Sequence, residues 1–210
     1  MFKKMLAAAA LAFASMTAQA GTISTSGGEL DFTFNFDTGA GVIIQGTGEI
    51  TATLVNGDDL QLVVSLSNDT VVPAGTNMAL VSFGFGIQPN ATGVLVQNDG
   101  TLEWEAVLNT GGNTNIPSLQ GIEICSFTGN NCSGGSVQAG LQAGASDTFT
   151  LLVAGTFGST VTIEPIGFKF QGTVGSFEFT TTRQNPEPAS LLLLGLGLAG
   201  LAFTRRRRLV

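Results

Sequence analysis

The 210-residue sequence has no histidine and no tyrosine, one tryptophan, two cysteines, and eight lysines and arginines against fifteen acidic residues. Each scarcity removes a class of chemistry. Without histidine there is no Ser-His-Asp or Cys-His arrangement. Two cysteines alone do not fill a structural zinc site. Stacking platforms for sugars or single-stranded nucleic acid need exposed aromatic faces, and here the aromatics are fifteen phenylalanines and one tryptophan. The few cations are also unevenly placed: Lys3 and Lys4 near the start, Arg205 to Arg208 near the end, and only Lys169 and Arg183 between them. The intervening chain therefore sets two cations against fourteen carboxylates, a formal charge of −12. Such a surface repels phosphate backbones, which excludes direct nucleic-acid binding, and attracts cations.

The two ends differ from what lies between. The first twenty residues, MFKKMLAAAALAFASMTAQA, place a positive region before an apolar run at residues 5–13. A small-residue site, Ala18-Gln19-Ala20, then precedes Gly21. This is the pattern of a secretory signal peptide cut by signal peptidase, with a membrane anchor as the less fitting alternative because the apolar run is short. At the other end, NPEPASLLLLGLGLAGLAFTRRRRLV holds a 15-residue apolar run at 189–203 with seven leucines. As a helix it spans roughly 23 Å, short of the roughly 30 Å hydrocarbon core. Arg205, Arg206, Arg207 and Arg208 hold that end on the cytoplasmic side. The expected result is a weak, oriented stop in the inner membrane, suited to transient retention.

Pro186-Glu187-Pro188, a short Leu/Gly-rich helix and a terminal Arg cluster, in that order, resemble the PEP-CTERM protein-sorting signal. The resemblance implies recognition of Pro186, Glu187 and Pro188 by an exosortase, a membrane transpeptidase that processes the tail. It also implies export in a Gram-negative bacterium that makes exopolysaccharide. The organisation expected is a signal peptide at 1–20, one exported domain at 21–184 and a sorting signal at 185–210.

Within the domain, period-two alternation dominates. In DFTFNFD, Phe32, Phe34 and Phe36 share one face while Asp31, Thr33, Asn35 and Asp37 share the other. EITATLV puts Ile50, Ala52 and Leu54 on one face, and Asn56-Gly57 then marks a hairpin with a positive φ at Gly57. MALVSFGFGI, TGVLVQ, TLEWEAVL, DTFTLLVAGTF, TVTIEPIGFKFQGTV and GSFEFTTT read as further strands, and VQAGLQAGA as at most one helical turn. The expected fold is all-β: a single antiparallel β-sandwich with phenylalanine filling its interior. The strand order stays open, a jelly-roll arrangement included.

Cys125 and Cys132, seven positions apart in an exported chain, read first as a disulfide. A metal pair lacks partner ligands, and a redox pair is more often C-x-x-C. The closed loop contributes about 2.5 kcal/mol and pins a Gly/Asn-rich segment. The Ser-Phe-Gly-Phe strand, the short Cys loop followed by Ser-Gly-Gly, and Asp-x-Phe-x-Leu resemble the "cistern" group of PEP-CTERM cargo more loosely, with no implied activity.

Three candidate chemistries remain. Glu103 and Glu105 flank Trp104 as a glycosidase pair would, yet alternation turns Trp104 inward and both carboxylates outward into solvent. Asp58, Asp59, Asp69 and Asp99 lie in Asn/Asp-rich turns and are generic Ca²⁺ candidates, which ordinary Asx turns also explain. Polar loops could bind glycan, but without stacking aromatics. The reading is therefore an exported, non-enzymatic surface or matrix protein without a required cofactor, associated with exopolysaccharide. A glycan-binding or calcium-assisted binding module is the alternative.

Overall fold

The computed structural model describes residues 21–98 and 100–181; the predicted signal peptide at 1–20, Asp99, Arg183 and the sorting tail lie outside the described residues. Twelve strands follow in chain order: β1 (Gly21–Ser24), β2 (Ser26–Asp37), β3 (Ile43–Val55), β4 (Asp59–Asn68), β5 (Met78–Gln88), β6 (Gly93–Asn98), β7 (Trp104–Leu108), β8 (Ile124–Thr128), β9 (Leu141–Gln142), β10 (Ala145–Ala154), β11 (Thr160–Gly172) and β12 (Gly175–Thr180). They form two antiparallel sheets packed as a β-sandwich. The five-stranded sheet runs β2-β3-β4-β10-β6. The seven-stranded sheet runs β1-β11-β5-β8-β7, with β12 also on β11 and β9 also on β5.

Alternation explains the first sheet. β4 buries Leu60, Leu62, Val64 and Leu66 and turns Gln61, Val63, Ser65 and Ser67 outward. The hairpin before it uses Asn56 at φ 52° and Gly57 at φ 95°, the doubly positive turn whose twist matches that of its strands. Opposite Phe32 and Phe34 on β2 stand Gly48 and Gly46 on β3. A Cβ at either glycine would collide with the facing ring, so the two phenylalanines lie flat across the neighbouring strand. Their rings then meet the second sheet: Phe32 stacks on Phe83 at 6.0 Å and Phe34 approaches Phe168 at 4.4 Å. Each buried phenylalanine contributes roughly 1.5–3 kcal/mol.

The middle of the second sheet, β5 and β8, is buried on both sides, which hides its period. In β5 every residue but Gln88 is buried. Phe83 and Phe85 point into the sandwich, while Gly84 and Gly86 face outward. A Cβ at Gly84 would meet Ile122, and one at Gly86 the Gly121 carbonyl. The bare glycine strip thus seats the 116–122 loop, and Ile116, Leu119 and Ile122 build a second apolar cluster there with Cys125, Phe127 and Cys132.

Three expectations are corrected. β7 begins at Trp104 rather than Thr101, because the preceding residues are held elsewhere by hydrogen bonds. The 137–145 segment makes a turn, with Ala139 N–H bonded to the Ser136 carbonyl, and then β9. Cys125 belongs to strand β8 rather than to a loop. Among the described residues the one helical turn is Gly112–Thr114.

Candidate functional site

The described chain ends at Thr181, the residue from which the sorting tail departs. β12 pairs with β11 through Thr180 opposite Gly167, and Thr181 N–H then donates to the Ile166 carbonyl at 3.1 Å. Gly21, first residue after the predicted cleavage site, opens β1 opposite Ile163 on the same edge of β11. Both predicted transport segments therefore attach to one edge of the sandwich, three residues apart along β11. Pro186, Glu187, Pro188 and Arg205 to Arg208, like Ala18 and Ala20, lie outside the described residues.

Cys125 and Cys132 are joined, with their α-carbons 6.2 Å apart and both residues fully buried. Ser82 Oγ donates to the Cys132 carbonyl at 3.2 Å, tying the bridged loop to β5. The calcium candidates do not come together. Asp58 and Asp59 sit at the β3–β4 turn, and Asp69 follows the opposite end of β4, where it accepts from Ser67 Oγ at 2.7 Å. Asp99 lies outside the described residues. Among the described residues no three metal-binding side chains cluster. Glu103 and Glu105 are exposed on either side of buried Trp104, the outward orientation that alternation requires.

One polar cluster escaped the sequence reading. Asp147 is buried at the start of the DTFTLLV alternation, in phase with core residues Phe149, Leu151 and Val153. A carboxylate in that inward register was itself the missed signal. It accepts from Thr101 N–H (2.9 Å), Thr101 Oγ1 (2.8 Å), Leu102 N–H (3.1 Å) and Trp104 Nε1 (2.9 Å). Burial pushes its pKa up, but the bonds from Thr101, Trp104 and Leu102 outweigh it and hold the carboxyl below the ordinary 3.8. The cluster clamps the segment leading into β7 and orients Trp104, whose ring stacks on Phe149 at 4.5 Å. This is architecture, since every donor comes from the protein itself.

The outer face of the five-stranded sheet is different. Cross-strand rows Asp31–Glu49–Ser65–Thr148 and Thr33–Thr47–Ser67–Ser146 line a shallow groove of about 370 Å³. Hydroxyls and two carboxylates there present acceptors and donors without an aromatic surface.

The tail matches a family model. Residues 186–208 match the model of the PEP-CTERM protein-sorting motif. This chain carries a PEP-CTERM sorting signal. The match begins at Pro186 and ends at Arg208, so it takes in the tripeptide, the apolar run and the whole Arg cluster. PEP-CTERM signals mark exported proteins that an exosortase sorts to the envelope or surface of Gram-negative bacteria. Comparison with curated proteins and with solved structures finds no match. The PEP-CTERM match covers the tail alone, and the likeness of the domain to the cistern group gains no support from it.

Proposed function

We propose that the protein is a non-enzymatic component of the cell surface or extracellular matrix, delivered by its PEP-CTERM signal and associated with exopolysaccharide. The single observation behind this reading is the sorting motif at 186–208 on an anionic, strand-built domain. Signal peptidase removes residues 1–20 and the secretion machinery exports the chain. The 189–203 run then retains it at the inner membrane, with Arg205 to Arg208 inside. Exosortase recognition of Pro186-Glu187-Pro188 ends that retention. A carboxylate-rich surface repels its own copies and attracts cations, which suits a hydrated, cation-containing polysaccharide. The outward, solvated setting of Glu103 and Glu105 favours this non-enzymatic role over glycosidase chemistry.

The groove across β2, β3, β4 and β10 favours a second reading, a glycan-binding module. Deleting the host exosortase tests delivery: the domain is expected in the membrane fraction instead of the medium or surface fraction, and unchanged distribution overturns the reading. Glycan-array and calcium-titration measurements on the mature protein separate the two roles. Saturable binding weakened by Asp31→Ala or Glu49→Ala selects the binding module.

A further inference from the structure

The two outer strands of the five-stranded sheet, β2 and β6, differ in charge. β2 carries the exposed carboxylates of Glu29, Asp31 and Asp37, a device that keeps a sheet edge from pairing with another chain. β6, with the sequence GVLVQN, carries no charge at all. It pairs with β10 alone, and the nearby β7 belongs to the other sheet. Among the described residues, the large apolar side chains left exposed are Ile43, Val71 and Leu95. Ile43 and Val71 bridge one another, whereas Leu95 stands 54% exposed within β6.

The hydrogen-bond register fixes which main-chain groups of β6 are free. The Gln45 carbonyl accepts from Asp69 N–H at 2.9 Å in the β3–β4 register, so odd residues of these two strands bond one another. The even residues of β4 therefore turn their main chain toward β10, onto Phe149, Leu151 and Val153. The even residues of β10 in turn face β6, and the Ala154 carbonyl accepts from Thr92 N–H at 2.8 Å in that sense. Leu152 stands opposite Leu95, which spends the main-chain groups of Leu95 on β10. Those of Val94 and Val96 point outward, away from the sheet.

We propose that β6 is a pairing edge for a second copy of this chain, antiparallel and centred on Leu95. Val94 then exchanges both main-chain bonds with Val96 of the other copy, and Val96 with its Val94. The two Leu95 side chains meet at the non-hydrogen-bonded position between them, where α-carbons lie about 4.5 Å apart and side chains are closest. Each Leu95 already borders the half-buried Leu152, so one apolar row crosses the joined sheets. The result is a continuous ten-stranded sheet. Because the contact is two-fold it closes on itself and stops at two copies. Six residues make a short contact of the transient class. The acidic surface opposes association everywhere else, so pairing strengthens as salt screens that repulsion. None of this depends on how the tail is processed.

Cysteine cross-linking on the full mature chain in detergent tests the register. Cys125 and Cys132 are bridged, so an introduced thiol is the one free thiol. Leu95→Cys is expected to form a covalent dimer under mild oxidation, since the α-carbon spacing suits a disulfide. Gln97→Cys, exposed on the same face, faces Gly93 of the other copy; its own counterpart lies about 13 Å further along the strand. It is expected to cross-link at least about 10-fold more slowly. Equal rates, or no dimer from Leu95→Cys, overturn the proposal. Sedimentation equilibrium supplies a second readout without cysteine. Native self-association is expected to tighten with added salt and to weaken about 10-fold in Leu95→Lys, which sets like charges side by side, with Trp104 fluorescence unchanged. A native chain that stays monomeric, or one that associates as tightly as Leu95→Lys, overturns the proposal as well.

Discussion

A buried carboxylate with four donors makes Asp147 the residue through which the segment before β7 is attached to β10. Asp147→Ala leaves those donors without an acceptor and is expected to cost about 3 kcal/mol. Urea unfolding followed through Trp104, the sole tryptophan, measures it. The sign of the pH dependence follows from the depressed pKa. The stabilisation is present above the ordinary value of 3.8 and is lost as the pH falls from there through the lower folded-state value. Native-chain stability should therefore decline below that pH, with Asp147→Ala losing this part of the decline. Thr128 gives the opposite prediction. It lies on β8 opposite Trp104 with its hydroxyl buried and unbonded. Thr128→Val keeps the volume and removes that unbonded group, so an increase in stability of about 1 kcal/mol is expected in the same assay.

At the scale of elements, legibility followed exposure. Where a sheet has one wet face, alternation placed the residues correctly: Phe32 and Phe34 in β2, Ile50 and Ala52 in β3, Trp104 in β7 are all buried. Where both faces are covered, the period vanishes. β8 is buried at all five positions, so the strand around Cys125 read as part of a loop. The FGFG of β5 was legible as a strand, but nothing local announces that Gly84 and Gly86 carry the distant 116–122 loop. Strand order was illegible for the same reason, since it is set by long-range pairings such as β1 with β11. The disulfide acts at this scale, stapling the segment after β8 to the apolar cluster on the sheet's outer side. Cys125→Ala with Cys132→Ala is expected to cost about 2.5 kcal/mol by thermal or urea unfolding, in the chain-entropy account of an eight-residue loop. A cluster that holds without its staple would show no loss.

For the whole molecule, the sorting signal was the most legible part, because a tripeptide, an apolar run and a basic cluster depend on local sequence alone. The domain's own partner was the least legible. Its candidate surface, the polar groove, exists only after β2, β3, β4 and β10 have assembled. The structure adds one architectural fact: Gly21 and Thr181, where the described residues begin and end, sit on the same edge of β11. The central claim is that the domain is carried outside and released from its tail by exosortase. Intact-mass analysis of the protein isolated from its natural host tests it most directly. The account predicts a chain that starts at Gly21, contains the Cys125–Cys132 bridge and lacks Arg205 to Arg208. A product that still carries those arginines, in a host with active exosortase, would contradict it.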